Sequence, residues 1–252
     1  MAGVLLRPGE GEALFGGRIV LKASFDQLTI TESHFPDARD GASPHFHREH
    51  VDSFYVLDGG MAVLVHDEEK LLEPGAFVSA PPEVVHGFRT TSRSVFLNFH
   101  TPDGGFADNL RARNRGEEGG FDSVDAEPGS GKLPTDAVFR QPGEGERLEG
   151  KNRVATIKLG REDIALIELE LESGFEGPDP HSHDDHVDSF YVLEGEADFF
   201  VDDAWHRHPA GSFVAAPIGA THTFRNRDGQ HARLLNIHPP STGFHDWLRD
   251  VN

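Results

Sequence analysis

Short apolar runs in this chain alternate with polar positions at a period of two and are cut every few residues by Gly, Pro or Asp. In the first half they fall at 18–21, 27–32, 53–57, 61–65, 76–80, 87–90 and 94–100. Runs of this length and spacing predict an antiparallel all-β barrel or sandwich. Asp58-Gly59-Gly60 and Glu194-Gly195-Glu196 carry hairpin-turn chemistry, and Leu72-Glu73-Pro74-Gly75 and His208-Pro209-Ala210-Gly211 are further turns. Only 103–114 and 242–251 read as helices, each short.

The pattern occurs twice. The run from His45 to Gly59 (HFHREHVDSFYVLDG) returns as His181 to Gly195 (HSHDDHVDSFYVLEG) at a constant offset of 136. The same offset relates Gly75, Pro81 and His86 to Gly211, Pro217 and His222; it becomes 138 at Asn98/Asn236 and His100/His238. The chain is a tandem duplication. Residues 1–114 are expected to form one domain and 137–252 a second. The aperiodic, Gly- and Glu-rich 115–136 is read as a linker.

The formal charge is −20, which excludes nucleic acid and an anionic membrane surface as partners. No Cys is present, so a bound metal must take nitrogen or oxygen donors. No stretch is apolar enough to span a membrane and no signal-peptide pattern precedes the first strand, so the expected location is the cytoplasm. Ten of the 16 His sit at repeat-equivalent positions.

Parity turns these His into a geometry. Side chains two apart share a face of a strand, so His45 points with His47, and His50 points with Asp52 and Phe54. Two His, a carboxylate and a distant His (His45, His47, Asp52, His86; then His181, His183, Asp188, His222) form a mixed set. It suits Mn, Fe, Ni, Cu, Co or Zn, up to two ions per chain. His50, His186, His100 and His238 are placed in the pocket or around the ligands, and Asn98 and Asn236 at its mouth. Phe54, Phe88, Phe190 and Phe224 are expected to line an apolar lumen. His66, His206, His208 and His231 are read as exposed loop residues. Arg89 and Arg225 fall on the opposite face.

These motifs resemble the cupin superfamily. Its first motif is His-x-His, three or four residues, Glu, six residues, Gly; here His47 is followed by four residues, Asp52, six residues and Gly59, and the second copy repeats this with His183, Asp188 and Gly195. Its second motif (Gly, five residues, Pro-x-Gly, two residues, His, three residues, Asn) is complete in the second copy at Gly211, Pro217, Gly219, His222 and Asn226. The first copy has Glu83 for the Gly and Thr90 for the Asn. The resemblance implies two tandem cupin barrels (double-stranded β-helix, or jelly roll) with short closing helices, each holding a metal. Asp stands where the family has Glu, so either the shorter Asp52 or the neighbouring His50 completes the first set, and Asp188 or His186 the second.

Among cupins the chain is most similar to quercetinase-like bicupin dioxygenases. That similarity implies a metal-dependent enzyme joining dioxygen to a flavonol or related enolic small molecule, with Asp52 and Asp188 as ligand and base. A metal-dependent isomerase or decarboxylase, or a non-catalytic binding protein, are the alternatives. Monomer and homo-oligomer both remain compatible.

Overall fold

Asp58-Gly59-Gly60 turns the chain as its chemistry predicts, yet the strands on either side do not pair with each other. In the computed structural model, which describes residues 2–251, Val51–Asp58 pairs with Phe77–Ala80 and Ser94–Thr101, whereas Met61–Val65 pairs with His86–Thr90 and Glu68–Leu72. The turn therefore passes the chain from one sheet to another. Gly59 is obligatory there: its φ is +76°, and a Cβ would come within 1.8 Å of the Arg93 carbonyl oxygen. Gly195 does the same in the second copy, with φ +68° and the His231 carbonyl 2.4 Å from a notional Cβ.

Two units result, Gly11–Gly143 and Glu144–Asn252 together with Met1–Glu10. Each is a two-sheet jelly roll. In the first, a seven-stranded sheet is accompanied by one built on His45–Phe46, Met61–Val65, Glu68–Leu72, His86–Thr90 and Val124–Asp125. In the second, a seven-stranded sheet is accompanied by Glu196–Val201, Ala204–Pro209 and His222–Arg225. The apolar faces of both sheets meet in each core, with Phe54, Val56, Val63 and Phe96 buried in the first and Phe190, Val192, Phe199 and Leu234 in the second. Helices Phe106–Asn114 and Phe244–Asp250 follow the last strand of each copy.

The units differ from the expected boundaries of 1–114, 115–136 and 137–252. Val4–Leu6 joins the second unit by pairing with Phe213–Ala216, and Val138–Arg140 joins the first by pairing with Phe77–Ala80. Segment 115–136 is also part of the first unit: Val124–Asp125 pairs with His45–Phe46, and Gly131 bridges to Val84. Strand pairing of this kind joins residues distant in sequence, which no local pattern records. The edge strand Glu68–Leu72, mostly exposed and polar, was likewise not legible in the sequence.

Each seven-stranded sheet also carries a buried ion pair, Lys22–Glu32 (3.2 Å) and its repeat Lys158–Glu168 (3.1 Å), with both lysine side chains wholly buried. Among the described residues no helix is long and apolar enough to cross a membrane.

Candidate metal centres

The His-x-His segment lies antiparallel to the strand carrying the distant His, with His45 paired to His86 and His181 bridged to His222. Asp52 enters from the other sheet, on Val51–Asp58, and Asp188 begins Asp188–Glu194. Two sheets thus deliver four side chains to one point. One donor atom each from His45, His47, Asp52 and His86 lies within 4.8 Å of the other three, and the same holds for His181, His183, Asp188 and His222.

The imidazoles are held with one nitrogen aimed inward. His45 Nδ1 lies 2.8 Å from the Ser43 carbonyl, His86 Nδ1 2.9 Å from that of Val84, His181 Nδ1 2.8 Å from that of Asp179 and His222 Nδ1 3.0 Å from that of Ala220. A carbonyl only accepts, so each Nδ1 carries a proton and Nε2 is left as the atom that faces the site. Burial, with the neighbouring His86, pushes His45 down to about 4. Burial and His186 push His183 down to about 4 as well. These rings are neutral at pH 7, the state in which imidazole binds a metal.

The carboxylates are held ionised. Burial opposes ionisation of Asp52, but His100, His47 and His86 outweigh it and keep the group well below the usual carboxylate range. Asp188 is held low in the same way by His238 and His222. Conversely, burial opposes protonation of His222, but its bond to Asp188, the charge of that carboxylate and the Ala220 carbonyl together outweigh it and raise the group. The two oxygens of each carboxylate have separate partners. Asp188 Oδ2 lies 3.1 Å from His222 Nε2, while Oδ1 accepts from Asn236 Nδ2 at 2.6 Å and lies 2.9 Å from His238 Nε2. In the first copy Oδ2 of Asp52 is 3.2 Å from His86 Nε2, and Oδ1 accepts from Asn98. One oxygen faces the three His and the other is fixed from behind.

Buried nitrogens without hydrogen-bond partners, among them His47 Nε2 and His183 Nε2, face the same points. An unmade bond of this kind costs roughly 1–3 kcal/mol. A divalent cation would satisfy these nitrogens together with the carboxylate, so the donor set fits a transition metal in both copies.

His50 stacks on His47 with centroids 4.0 Å apart, and His186 lies against His183 at 3.9 Å with its ring tilted by 30°. Asp52 is grouped with His45, His47 and His86, its Oδ2 lying 3.2 Å from His86 Nε2 and 3.7 Å from His47 Nε2, whereas His50 groups with His47 and His100. Asn98, His100, Asn236 and His238 line the two pockets from buried positions beside the carboxylates, with His100 stacked on Phe106 and His238 on Phe244. Phe190 lies in the core behind Phe224, at 4.8 Å, rather than in the pocket lining. His208, expected in an exposed loop, is buried on the strand Ala204–Pro209. Arg89 pairs outward with Glu69, and Arg225 with Asp198 while lying over Trp205, as parity requires.

Sequence reasoning missed the strap formed by 119–125. Phe121 covers His47, His50 and His100 at centroid distances of 5.0, 5.0 and 5.5 Å. The Asp122 carbonyl accepts from His47 Nδ1, and its carboxylate accepts from the backbone of Arg48 and Glu49 and from the Arg48 guanidinium. The one available signal was a Phe-Asp pair inside an otherwise Gly- and Glu-rich stretch.

A cavity opens from each centre, of about 660 Å³ in the first unit and about 720 Å³ in the second. Both include metal-facing His and a phenylalanine floor, Phe88 with Phe106 and Phe224 with Phe244.

The cupin domain family matches residues 32–99 and 167–238, one stretch in each unit. Quercetin 2,3-dioxygenase of Bacillus subtilis is 34% identical over 94 residues, and an uncharacterized protein of Aquifex aeolicus is 36% identical over 69. These matches take in 35% and 27% of this chain and span only 28% and 57% of those relatives' own lengths. Among solved structures, protein YlbA of E. coli superposes with a TM-score of 0.68 at 12% identity, covering 94% of this chain and 90% of that one. Oxalate decarboxylase of Bacillus subtilis superposes with a TM-score of 0.56 at 17% identity, covering 84% of this chain and 68% of its own. At these identities the superpositions speak for the fold alone.

Proposed function

The chain belongs to the cupin family as a bicupin, and on that premise we propose that it is a metal-dependent oxygenase of dioxygenase type acting on a flavonol or related enolic small molecule in the cytoplasm. The observation that carries this reading is the second site: an ionised Asp188 among three His opens directly onto a cavity walled by Phe175, Phe224, Phe244 and Trp247. Such a wall suits a planar apolar substrate.

His181, His183, His222 and Asp188 would hold the metal, with His45, His47, His86 and Asp52 in the first copy. The metal, when bound, would lower the pKa of a substrate hydroxyl and bring the substrate beside dioxygen. Asp188 Oδ2 is the nearest acceptor for the hydroxyl proton. Its depressed pKa makes it a weak base, so it is matched to the acidic hydroxyl of an enol rather than to an aliphatic alcohol. Asn236 and His238 hold Oδ1 and so keep Oδ2 facing the substrate. Oxygen uptake by protein loaded in turn with Mn, Fe, Co, Ni or Cu, with flavonols as substrates, tests the reading. Uptake that disappears in His181→Ala/His183→Ala supports it; no uptake with any flavonol or related enol under any metal refutes it.

A further inference from the structure

The duplication allows the two pockets to be compared wall by wall, because repeat-equivalent residues occupy equivalent places. Ser33 and Leu169 pair with equivalent residues of the last strand, Phe96 and Leu234. Arg39 and Phe175 sit opposite Thr90 and Asn226, which are themselves 136 apart. Asn109 and Trp247 lie on the two closing helices, 138 apart; at the same offset Arg113, on the first helix, corresponds to Val251, which directly follows the second. All eight residues line their respective pockets. At four equivalent positions the first wall is Ser, Arg, Asn and Arg where the second is Leu, Phe, Trp and Val. The His and Asp that face the candidate metal are the same in both, so at the sites themselves these four differences lie on the walls that a substrate would touch.

Charge follows the same division. The first lining holds Arg18, Arg39 and Arg113, and the second holds Arg153 as its one arginine. Arg39 is bonded to Asp37, whereas Arg18 and Arg113 make no ion pair among the described residues. Asp37 occupies Arg39, and Asp40 and Asp125 share the wall with Arg18 and Arg113, so the first rim offers arginine hydrogen-bond donors to one carboxylate but no net positive charge for a polyanion. An apolar ligand seated there would strip water from arginines without replacing their hydrogen bonds, which is costly. In the second pocket the exposed Trp247, stacked on Phe244 at 5.8 Å, extends the apolar floor to the rim.

We infer that the two metal sites have diverged in substrate class: the second accepts a neutral, planar aromatic enol, and the first an enolisable acid whose carboxylate meets the arginines at its rim. This rests on the proposed function for the nature of the reacting group, but not for how the walls sort ligands.

Binding to zinc-loaded protein tests it without turnover. His45→Ala/His47→Ala leaves the second site and His181→Ala/His183→Ala the first, and calorimetry is run on each with 3-hydroxyflavone and with phenylpyruvate. The second-site chain is expected to bind 3-hydroxyflavone about tenfold or more tighter than the first-site chain does, and phenylpyruvate to show the reverse order. Equal binding of both probes at both sites, or inverted preferences, overturns the inference. Should either variant fail to fold by circular dichroism, Phe175→Arg/Trp247→Asn in the otherwise intact chain replaces it. That change should weaken 3-hydroxyflavone binding about tenfold and leave phenylpyruvate binding at the first site intact; unchanged flavone binding overturns the inference. A chain that sorts the probes but consumes no oxygen fails only the oxygenase reading. One that consumes oxygen but does not sort them fails only this one.

Discussion

Replacing Asn236 by Leu removes one hydrogen-bonding side chain from behind the second metal centre while keeping the number and branching of its heavy atoms. Asn236 is almost wholly buried, and its Nδ2 donates to Asp188 Oδ1 at 2.6 Å and to the Ser189 carbonyl at 3.1 Å. A bond to a charged acceptor contributes about 1.5–3 kcal/mol and a neutral one about 1 kcal/mol, so up to about 4 kcal/mol is lost before the added apolar burial offsets part of it. A net destabilisation of about 2–3 kcal/mol is expected for the metal-free protein, read by urea denaturation at constant m-value. The same bond keeps Asp188 Oδ2 turned toward His222. Its loss should weaken zinc binding at the second site by about 10–100-fold, the usual effect of removing a group that orients a ligand. Titration of the variant in a His45→Ala/His47→Ala background reads that site alone. Weakened stability with unchanged zinc affinity would refute the reasoning, because it would make Asn236 a packing residue and Asp188 a bystander to the metal.

Other consequences can be measured separately. Asp122→Ala releases the strap from the backbone of Arg48 and Glu49, so zinc should escape from the first site into a chelator about tenfold faster while the second site is unaffected; equal rates would show that the strap has no hold on His47. Acid should weaken the metal-free fold in a defined window. The unfolded chain takes up protons below about pH 6.5, whereas His45, His50 and His183 resist them until about 4 because they are buried. The unfolded state therefore binds more protons throughout that interval, and Tm should fall steadily from pH 6.5 to 4. Asp52, also depressed, adds to the loss at still lower pH. A Tm that is flat or rises on acidification contradicts the burial argument. Finally, Lys158→Met takes the nearer cation from Glu168, which keeps Arg233 at 3.4 Å, and should cost about 3 kcal/mol, the low end for breaking a buried pair, while Lys158→Met/Glu168→Leu should recover most of it; equal losses in both variants would deny that the buried charge is the cause.

Much of each metal centre was legible in the sequence because its rules are local. His45 and His47 share a face through strand parity, and the 136-residue repeat showed that His86 and His222 belong to the same pattern. The choice between Asp52 and His50 was not legible. Both satisfy parity, and only the placement of Val51–Asp58 in the other sheet put the carboxylate beside His86 and His50 on the far side of His47. Asn98 and Asn236 were legible as pocket residues but not as the groups that fix the carboxylates, for a related reason: alternation assigns a face, but not the depth along the strand at which that face meets the site.

The sequence by itself determined the duplication, the antiparallel all-β class and the three His of each centre, since each depends on spacing along the chain or on comparison of the chain with itself; the jelly roll was what the cupin resemblance implied. Tertiary structure decided which strands complete each unit, with Val4–Leu6 serving the second and Val138–Arg140 the first. It also decided that residues 119–125 close over one centre, which carboxylate oxygen faces the His, and which residues wall the two pockets. Those outcomes depend on contacts between residues far apart in the chain, and backbone periodicity carries no record of them.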